Sequence, residues 1–280
     1  MTQCTNIKPI KPVAPYVGGK RLLSAKLIAR INAVPHITYA EPFVGMGGVF
    51  LRRDQLPQAE VINDLSGDVA TFFRILQRHY AHFMEMLKFQ LTTRQEFERL
   101  RATDPDTLTD LERAARFLYL QRTGFGGIIK SRSFGIDVKC PGRFNVTKLG
   151  PMLEELHERL AGVSIEKLPY DEFIRRYDRE GTLFYLDPPY YGVEDYYGRE
   201  LFSRDEFAKM AKQLENIKGK FILSLNAAPE VRDIFKAFAI EEVPVNYTTA
   251  HKVTTLAREL IISNCADDFR GVSAMEASNG

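Results

Sequence analysis

Four consecutive residues, Asp187-Pro188-Pro189-Tyr190, follow directly on an apolar run, Leu183-Phe184-Tyr185-Leu186. Two prolines cannot continue a ladder of backbone hydrogen bonds, so a strand over 182–186 must stop there. They also stiffen the chain where a carboxylate and an aromatic ring emerge. Asp187 can accept a hydrogen bond from an amino group, and a proline carbonyl, which keeps its lone pairs, can accept a second. Tyr190 offers a flat face to a planar base, the usual way an extruded base is held. Asp187, Pro188, Pro189 and Tyr190 are therefore the candidate catalytic loop, suited to chemistry on a planar, amino-bearing group.

A second cluster lies early in the chain. In Tyr39-Ala40-Glu41-Pro42-Phe43-Val44-Gly45-Met46-Gly47-Gly48 a short strand gives way to a glycine turn. Glycines let the backbone approach a ligand closely and adopt positive φ. At the carboxyl end of a strand in an α/β sheet, such a turn is where a nucleotide-like ligand sits. Asp64 follows Gly45 by 19 residues, and a carboxylate about 20 residues on commonly holds a ribose hydroxyl. A lone G-x-G-G also serves an ordinary tight turn, so this cluster gains meaning only from what accompanies it.

The elements that must position these residues follow from periodicity and punctuation. Helices are expected over 21–31, 66–91, 94–101, 109–121, 149–160, 171–177, 205–217 and 230–235. Strands are expected over 37–41, 60–63, 163–166, 182–186, 220–225, 239–243 and 259–262. Short apolar strands alternating with helices imply an α/β fold, an open and mostly parallel sheet covered on both faces. Residues 67–160 break that rhythm and read as a second, mainly helical domain inserted into the first, which spans 8–66 and 161–265. Within the insertion, 124–147 is rich in glycine, aromatic and β-branched residues and reads as a hairpin or loop. Residues 266–280 are small and polar and read as a flexible tail.

The chain of 280 residues has a net charge of +2, but its positive charge is clustered. Six Lys/Arg and no acid lie within 1–30, and eight Lys/Arg and one acid within 113–148. Such clusters in a near-neutral protein mark either a solvated basic surface or one that faces phosphates. Arg116 and Arg122, on a rigid helix, suit phosphate contacts; Lys130, Arg132 and Arg143, in the hairpin region, suit base edges. Three scattered cysteines argue against a disulfide framework and for a reducing cytoplasm. No CxxC or HxxxH spacing suggests a metal, and no apolar run is long enough to span a membrane.

The succession PYVGGK (15–20), EPFVGMGG (41–48), a basic insertion and DPPY (187–190) resembles the Dam-like, adenine-specific DNA methyltransferases. The resemblance runs from Pro15 to about Asn264 and includes ARELIISN (257–264), similar to that family's last strand. It implies a Rossmann-like methyltransferase sheet with an inserted DNA-recognition domain carrying a β-hairpin. It implies S-adenosylmethionine as methyl donor, double-stranded DNA as partner, and transfer to the exocyclic amino group of a flipped adenine. On the matching positions, Tyr16, Lys20, Phe43, Gly45, Gly47, Asp64 and Asp187 contact the cofactor. Asp171, in KLPYDEF (167–173), resembles the residue that meets the cofactor adenine, at a slightly different spacing. QRTGFGGIIK (121–130) and PGRFN (141–145) resemble the recognition hairpin. Members that read GATC carry Asn-Gly and Arg where this chain has Gly126-Gly127 and Lys130, so a GATC target is not implied. A restriction endonuclease of matching specificity is a candidate partner. Lys20, near a cationic cofactor, is expected to meet the methionine carboxylate or to order Asp187. The same acceptor pair also serves cytosine, RNA or a protein glutamine amide, and an inactive DNA-binding regulator would keep the same fold.

Overall fold

A computed structural model describes residues 4–127, 133–135, 141–192, 202–248 and 254–278. The strands are β1 (Thr5–Asn6), β2 (Thr38–Glu41), β3 (Gln55–Leu56), β4 (Ala59–Asn63), β5 (Ser164–Glu166), β6 (Thr182–Leu186), β7 (Lys220–Asn226), β8 (Ala239–Thr248) and β9 (Thr254–Ser263). The helices are α1 (Ser24–Ala33), α2 (Gly67–Leu87), α3 (Arg94–Ala102), α4 (Asp110–Thr123), α5 (Val146–Arg159), α6 (Tyr170–Tyr177), α7 (Arg204–Leu214), α8 (Pro229–Ile234) and α9 (Ala266–Ser278).

Seven strands form one sheet in the order β5-β4-β2-β6-β7-β9-β8, while β1 and β3 pair separately. The first five strands of that order are parallel, and β9 runs antiparallel to both β7 and β8. The chain leaves β2 toward β4 on one side and returns through β6 on the other. A crevice therefore opens between the carboxyl ends of β2 and β6, where an α/β sheet places its ligand.

Strand β6 shows why the sheet is buried on both faces. All five of its residues are buried, and side chains alternate across a strand. Leu183 and Tyr185 join a core with Tyr39, Ile62 and Ile222; Phe184 and Leu186 join another with Ala40, Val61, Phe221 and Leu223. The second core is closed by α6 and α7 through Phe173, Phe207 and Met210. The first continues without a break into residues 67–160, through Phe72, Phe83, Phe97, Phe117 and Leu153. Helix α2 supplies the spacing that permits this, with Val69, Phe72, Phe73, Leu76, Phe83 and Leu87 buried on one side.

Several boundaries differ from those expected. Helix α2 ends at Leu87 because the apolar residues that appeared to extend it, Phe89 and Leu91, point outward at 81% and 71% exposure. Helix α5 starts three residues early, at Val146, where the Asn145 side chain caps the Lys148 amide. Strands β8 and β9 are each ten residues long. Pro244, just past the expected end at Val243, lies within β8, an edge strand, where a missing N–H is tolerated. The expectation of a flexible tail over 266–280 is corrected for its first thirteen residues. They form α9, which packs against α1 with Phe269 buried. In the expected hairpin, Gly124 and Phe134 make an antiparallel bridge, and Phe125 and Gly135 donate to Ser133 and Thr123.

Candidate active site

A cavity of about 520 Å³ opens at the carboxyl ends of β2, β4 and β6. Tyr16, Lys20, Phe43, Gly45, Asp64, Asp171, Asp187 and Pro189 all line it, although they come from five separate stretches of chain. Gly47, Pro188 and Tyr190 do not line it.

The turn after β2 explains its glycine at position 45. Gly45 has φ +50°, and a Cβ there would stand 2.8 Å from the Tyr16 ring. Its N–H donates to Asp64 at 2.9 Å, and the Ser66 N–H donates to the other Asp64 oxygen at 2.9 Å. Each carboxylate oxygen keeps a further lone pair for a ligand hydroxyl. Burial outweighs the two N–H donors and pushes the Asp64 carboxyl up to about 6. Gly47 shapes the turn from beneath, its N–H bonded to the Val44 carbonyl.

Asn63 was not singled out by its sequence, yet it fastens the floor of this region. Buried at the end of β4, it donates to the Pro42 and Leu168 carbonyls and accepts from the Leu168 N–H. That last loop carries Tyr170 and Asp171 into the cavity. The Phe43 ring lies 5.6 Å from Tyr170 and 5.9 Å from Phe202, forming an aromatic wall. Asp171, at the start of α6, pairs with Arg175 at 2.7 Å through one oxygen.

Asp187 emerges from β6 beside Lys20, whose Nζ lies 2.6 Å from Oδ1. The same oxygen accepts from the Ser224 hydroxyl at 3.3 Å, and Ser224 is bonded to Tyr185 at 2.9 Å. Burial raises the Asp187 carboxyl to about 6, against the pull of Lys20. The Lys20 ammonium also donates to Tyr190 at 2.9 Å and to the Gly18 carbonyl at 3.3 Å. Its three N–H groups are thus engaged within the protein, and of the two expected arrangements the one ordering Asp187 is present. Tyr190 donates its hydroxyl hydrogen to Glu259 on β9. Glu41, at the end of β2, lines the cavity and accepts from Tyr39 at 2.6 Å. Burial, opposed by that bond and reinforced by Asp187, pushes its carboxyl up to about 8. Glu41 and Glu259 stand inside the EPFVGMGG and ARELIISN stretches but were given no role there; the sheet brings them to this place.

One expected DNA contact, Arg116, is corrected, and Arg122 is engaged with backbone carbonyls. Arg116 is 7% exposed, its Nε donates to the Leu100 carbonyl at 2.7 Å and it faces Asp68 at 3.7 Å. Arg122 donates to the carbonyls of Val13 and Arg143 at 3.0–3.3 Å. Both guanidiniums brace backbone; Arg116 is buried, whereas Arg122 is half-buried and lines the cavity. Arg143 is half-buried and donates to the Gly124 carbonyl at 3.2 Å, bracing the base of the same segment. Lys130 and Arg132 lie outside the described residues. Gln121, which was not singled out for a role of its own, is buried and donates to the carbonyls of Pro15 and Gly127. It ties the segment after α4 to the N-terminal stretch carrying Tyr16.

The family model for the D12 class N6 adenine-specific DNA methyltransferases matches residues 16–249. The chain belongs to that family. Three relatives span most of this methyltransferase. The type II methyltransferase M1.LlaDCHI of Lactococcus lactis subsp. cremoris is 27% identical, over 91% of this chain and 95% of the relative. The type II methyltransferase M.CviBI of Paramecium bursaria Chlorella virus NC1A is 22% identical, over 85% and 91%. The DNA N-6-adenine-methyltransferase of Escherichia phage P1 is 26% identical over 83% of this chain and 31% of that longer protein. The resemblance drawn from the motifs is thereby upheld, and with it adenine-specific DNA methylation as the activity.

Proposed function

We propose that this enzyme takes its methyl group from S-adenosylmethionine held in the 520 Å³ cavity, and delivers it to an adenine flipped out of double-stranded DNA. The observation that carries this reading is the Asp187 carboxylate, set at the cavity wall where β2 and β6 diverge, with Oδ1 held by Lys20 and Ser224. The lining suits the cofactor. Asp64 offers lone pairs to a ribose diol, Gly45 clears room beside Tyr16, and the ring of Phe43 suits a flat base. When bound, the cofactor supplies an electrophilic methyl on a sulfonium.

An adenine amino nitrogen is a poor nucleophile because its lone pair is delocalised into the ring. Asp187 Oδ2 and a proline carbonyl of the same loop accept its two N–H groups and favour a pyramidal nitrogen. The positive charge that develops on nitrogen is stabilised by the carboxylate in a site sheltered from water. The alignment of the two reactants accounts for much of the remaining acceleration. The proton leaves only after the nitrogen is cationic, so a weak acceptor suffices. Residues 67–160 are assigned to target recognition, with Lys130 and Arg132 reaching base edges. The type II names of two relatives support a cognate endonuclease as partner.

Tritium transfer from labelled cofactor to duplex DNA tests the reading. Asp187→Ala is expected to abolish transfer while circular dichroism stays unchanged, since the residue lies past the end of its strand. A folded variant that methylates adenine at a near-normal rate would overturn it.

A further inference from the structure

Tyr190, Lys20, Asp187 and Ser224 are joined to a residue that lies in the ARELIISN stretch but has been given no role of its own. Glu259 is 1% exposed, lies on β9 opposite Asn226 of β7, and accepts from the Tyr190 hydroxyl. The bonds have a fixed direction. An ammonium can only donate, so Lys20 donates to Asp187 and to Tyr190. Tyr190, accepting from Lys20, donates onward to Glu259. On the other side, Ser224 donates to Asp187, which leaves Tyr185 to donate to Ser224. One cation thus stands between two carboxylates, Glu259 buried and Asp187 partly buried.

We infer that Glu259 is a positioning residue for methyl transfer: through Tyr190 it divides the charge of Lys20 with Asp187, so that the Asp187 carboxylate keeps its negative field and its Oδ2 for the amino group. The inference rests on the role proposed above for Asp187. Without Glu259, Lys20 would neutralise Asp187 more fully, and the hydroxyl of Tyr190 could turn toward other acceptors. Buried networks of this kind are cooperative, so a change at one end is felt at the other.

Among the described residues, the other titratable groups around Asp187 are these. Tyr185 and Tyr39 are buried phenols pushed well above the usual tyrosine range, and so neutral. Glu41 holds its proton up to about 8. Glu259 raises the Asp187 carboxyl and Lys20 lowers it. Replacing Glu259 by a neutral isostere therefore has a sign that loss of packing alone would not produce: Asp187 titrates lower.

The test is Glu259→Gln and Tyr190→Phe, singly and together, with tritiated-methyl transfer measured against pH on duplex DNA at saturating cofactor. For Glu259→Gln the expectation is a plateau kcat about tenfold lower, an acid limb displaced to lower pH, and unchanged cofactor Kd. The double variant is expected to be no worse than the more impaired single one, because both cut the same link. If Glu259→Gln does not fold, Tyr190→Phe, which deletes one hydroxyl, carries the test through the same fall in kcat at unchanged cofactor Kd. An unmoved acid limb in folded Glu259→Gln, or losses that add independently in the double variant, would overturn the inference. So would an unchanged kcat in Tyr190→Phe. Asp187→Ala, run alongside, separates the two levels. An active Asp187→Ala sinks the mechanism itself, whereas an inactive one with Glu259→Gln unaltered sinks only this inference.

Discussion

Replacing Lys20 by methionine removes the positive charge 2.6 Å from Asp187 while keeping most of the side-chain volume. With lysine present the Asp187 carboxyl stands at about 6, because burial raises it and Lys20 holds it down. An opposite charge at this range lowers a carboxyl by about 1–3 units, so its loss would lift Asp187 to about 7–9. Methyl transfer needs the ionised form. For a midpoint near 8, the ionised fraction at pH 7 falls from about nine-tenths to about one-tenth, and kcat falls about tenfold with it. By about pH 9 most of Asp187 is ionised again and most of that loss is recovered. Lys20→Arg keeps the charge and should keep the acid limb near its original pH. The assay is single-turnover transfer of tritiated methyl to duplex DNA over the pH range, with circular dichroism confirming the fold. An acid limb in Lys20→Met at the same pH as the parent, or activity that stays lost at high pH in a folded variant, would refute the reasoning.

Asp64→Ala should weaken S-adenosylmethionine binding by about 1–3 kcal/mol, through loss of charge-assisted hydrogen bonds to the ribose; unchanged affinity by calorimetry would remove Asp64 from the site. Arg116→Ala should cost about 1–3 kcal/mol in urea unfolding, because the Leu100 carbonyl loses its partner and Asp68 one of its arginines. Its salt dependence of DNA binding should match the parent; a slope lower by about one unit would return Arg116 to the phosphate surface. Lys130→Ala or Arg132→Ala should relax the target sequence at one position in methylome sequencing, and a reduced salt slope with an unaltered motif would instead assign them to phosphate.

Signals carried by near neighbours were legible in the sequence. The apolar run before Asp187 marked β6 to the residue, and the glycine turn and Asp64 marked one wall of the cavity. Alternation of strand and helix was enough for the sheet, and the motif order was enough for the family. Each single motif and element depends on residues a few positions apart, within reach of backbone sterics and side-chain periodicity. Charge alone misled at Arg116, because it says what a side chain carries and not whether its helix buries it. Composition misled at 266–278, where one buried phenylalanine anchors a helix in an otherwise polar stretch.

Only the tertiary structure could assemble the network around Asp187. Lys20 and Tyr190 are 170 positions apart, Tyr190 and Glu259 are 69, and Asp187 and Ser224 are 37. Their meeting depends on strand order and on the register of β7 against β9, which puts Glu259 opposite Asn226. A slip of one residue would turn Glu259 to the other face of the sheet. The sequence by itself determined which groups were available for the chemistry. Their protonation and pairing were decided by burial, which raises Asp64, Asp187 and Glu41, and by a sheet that sets one lysine between two carboxylates.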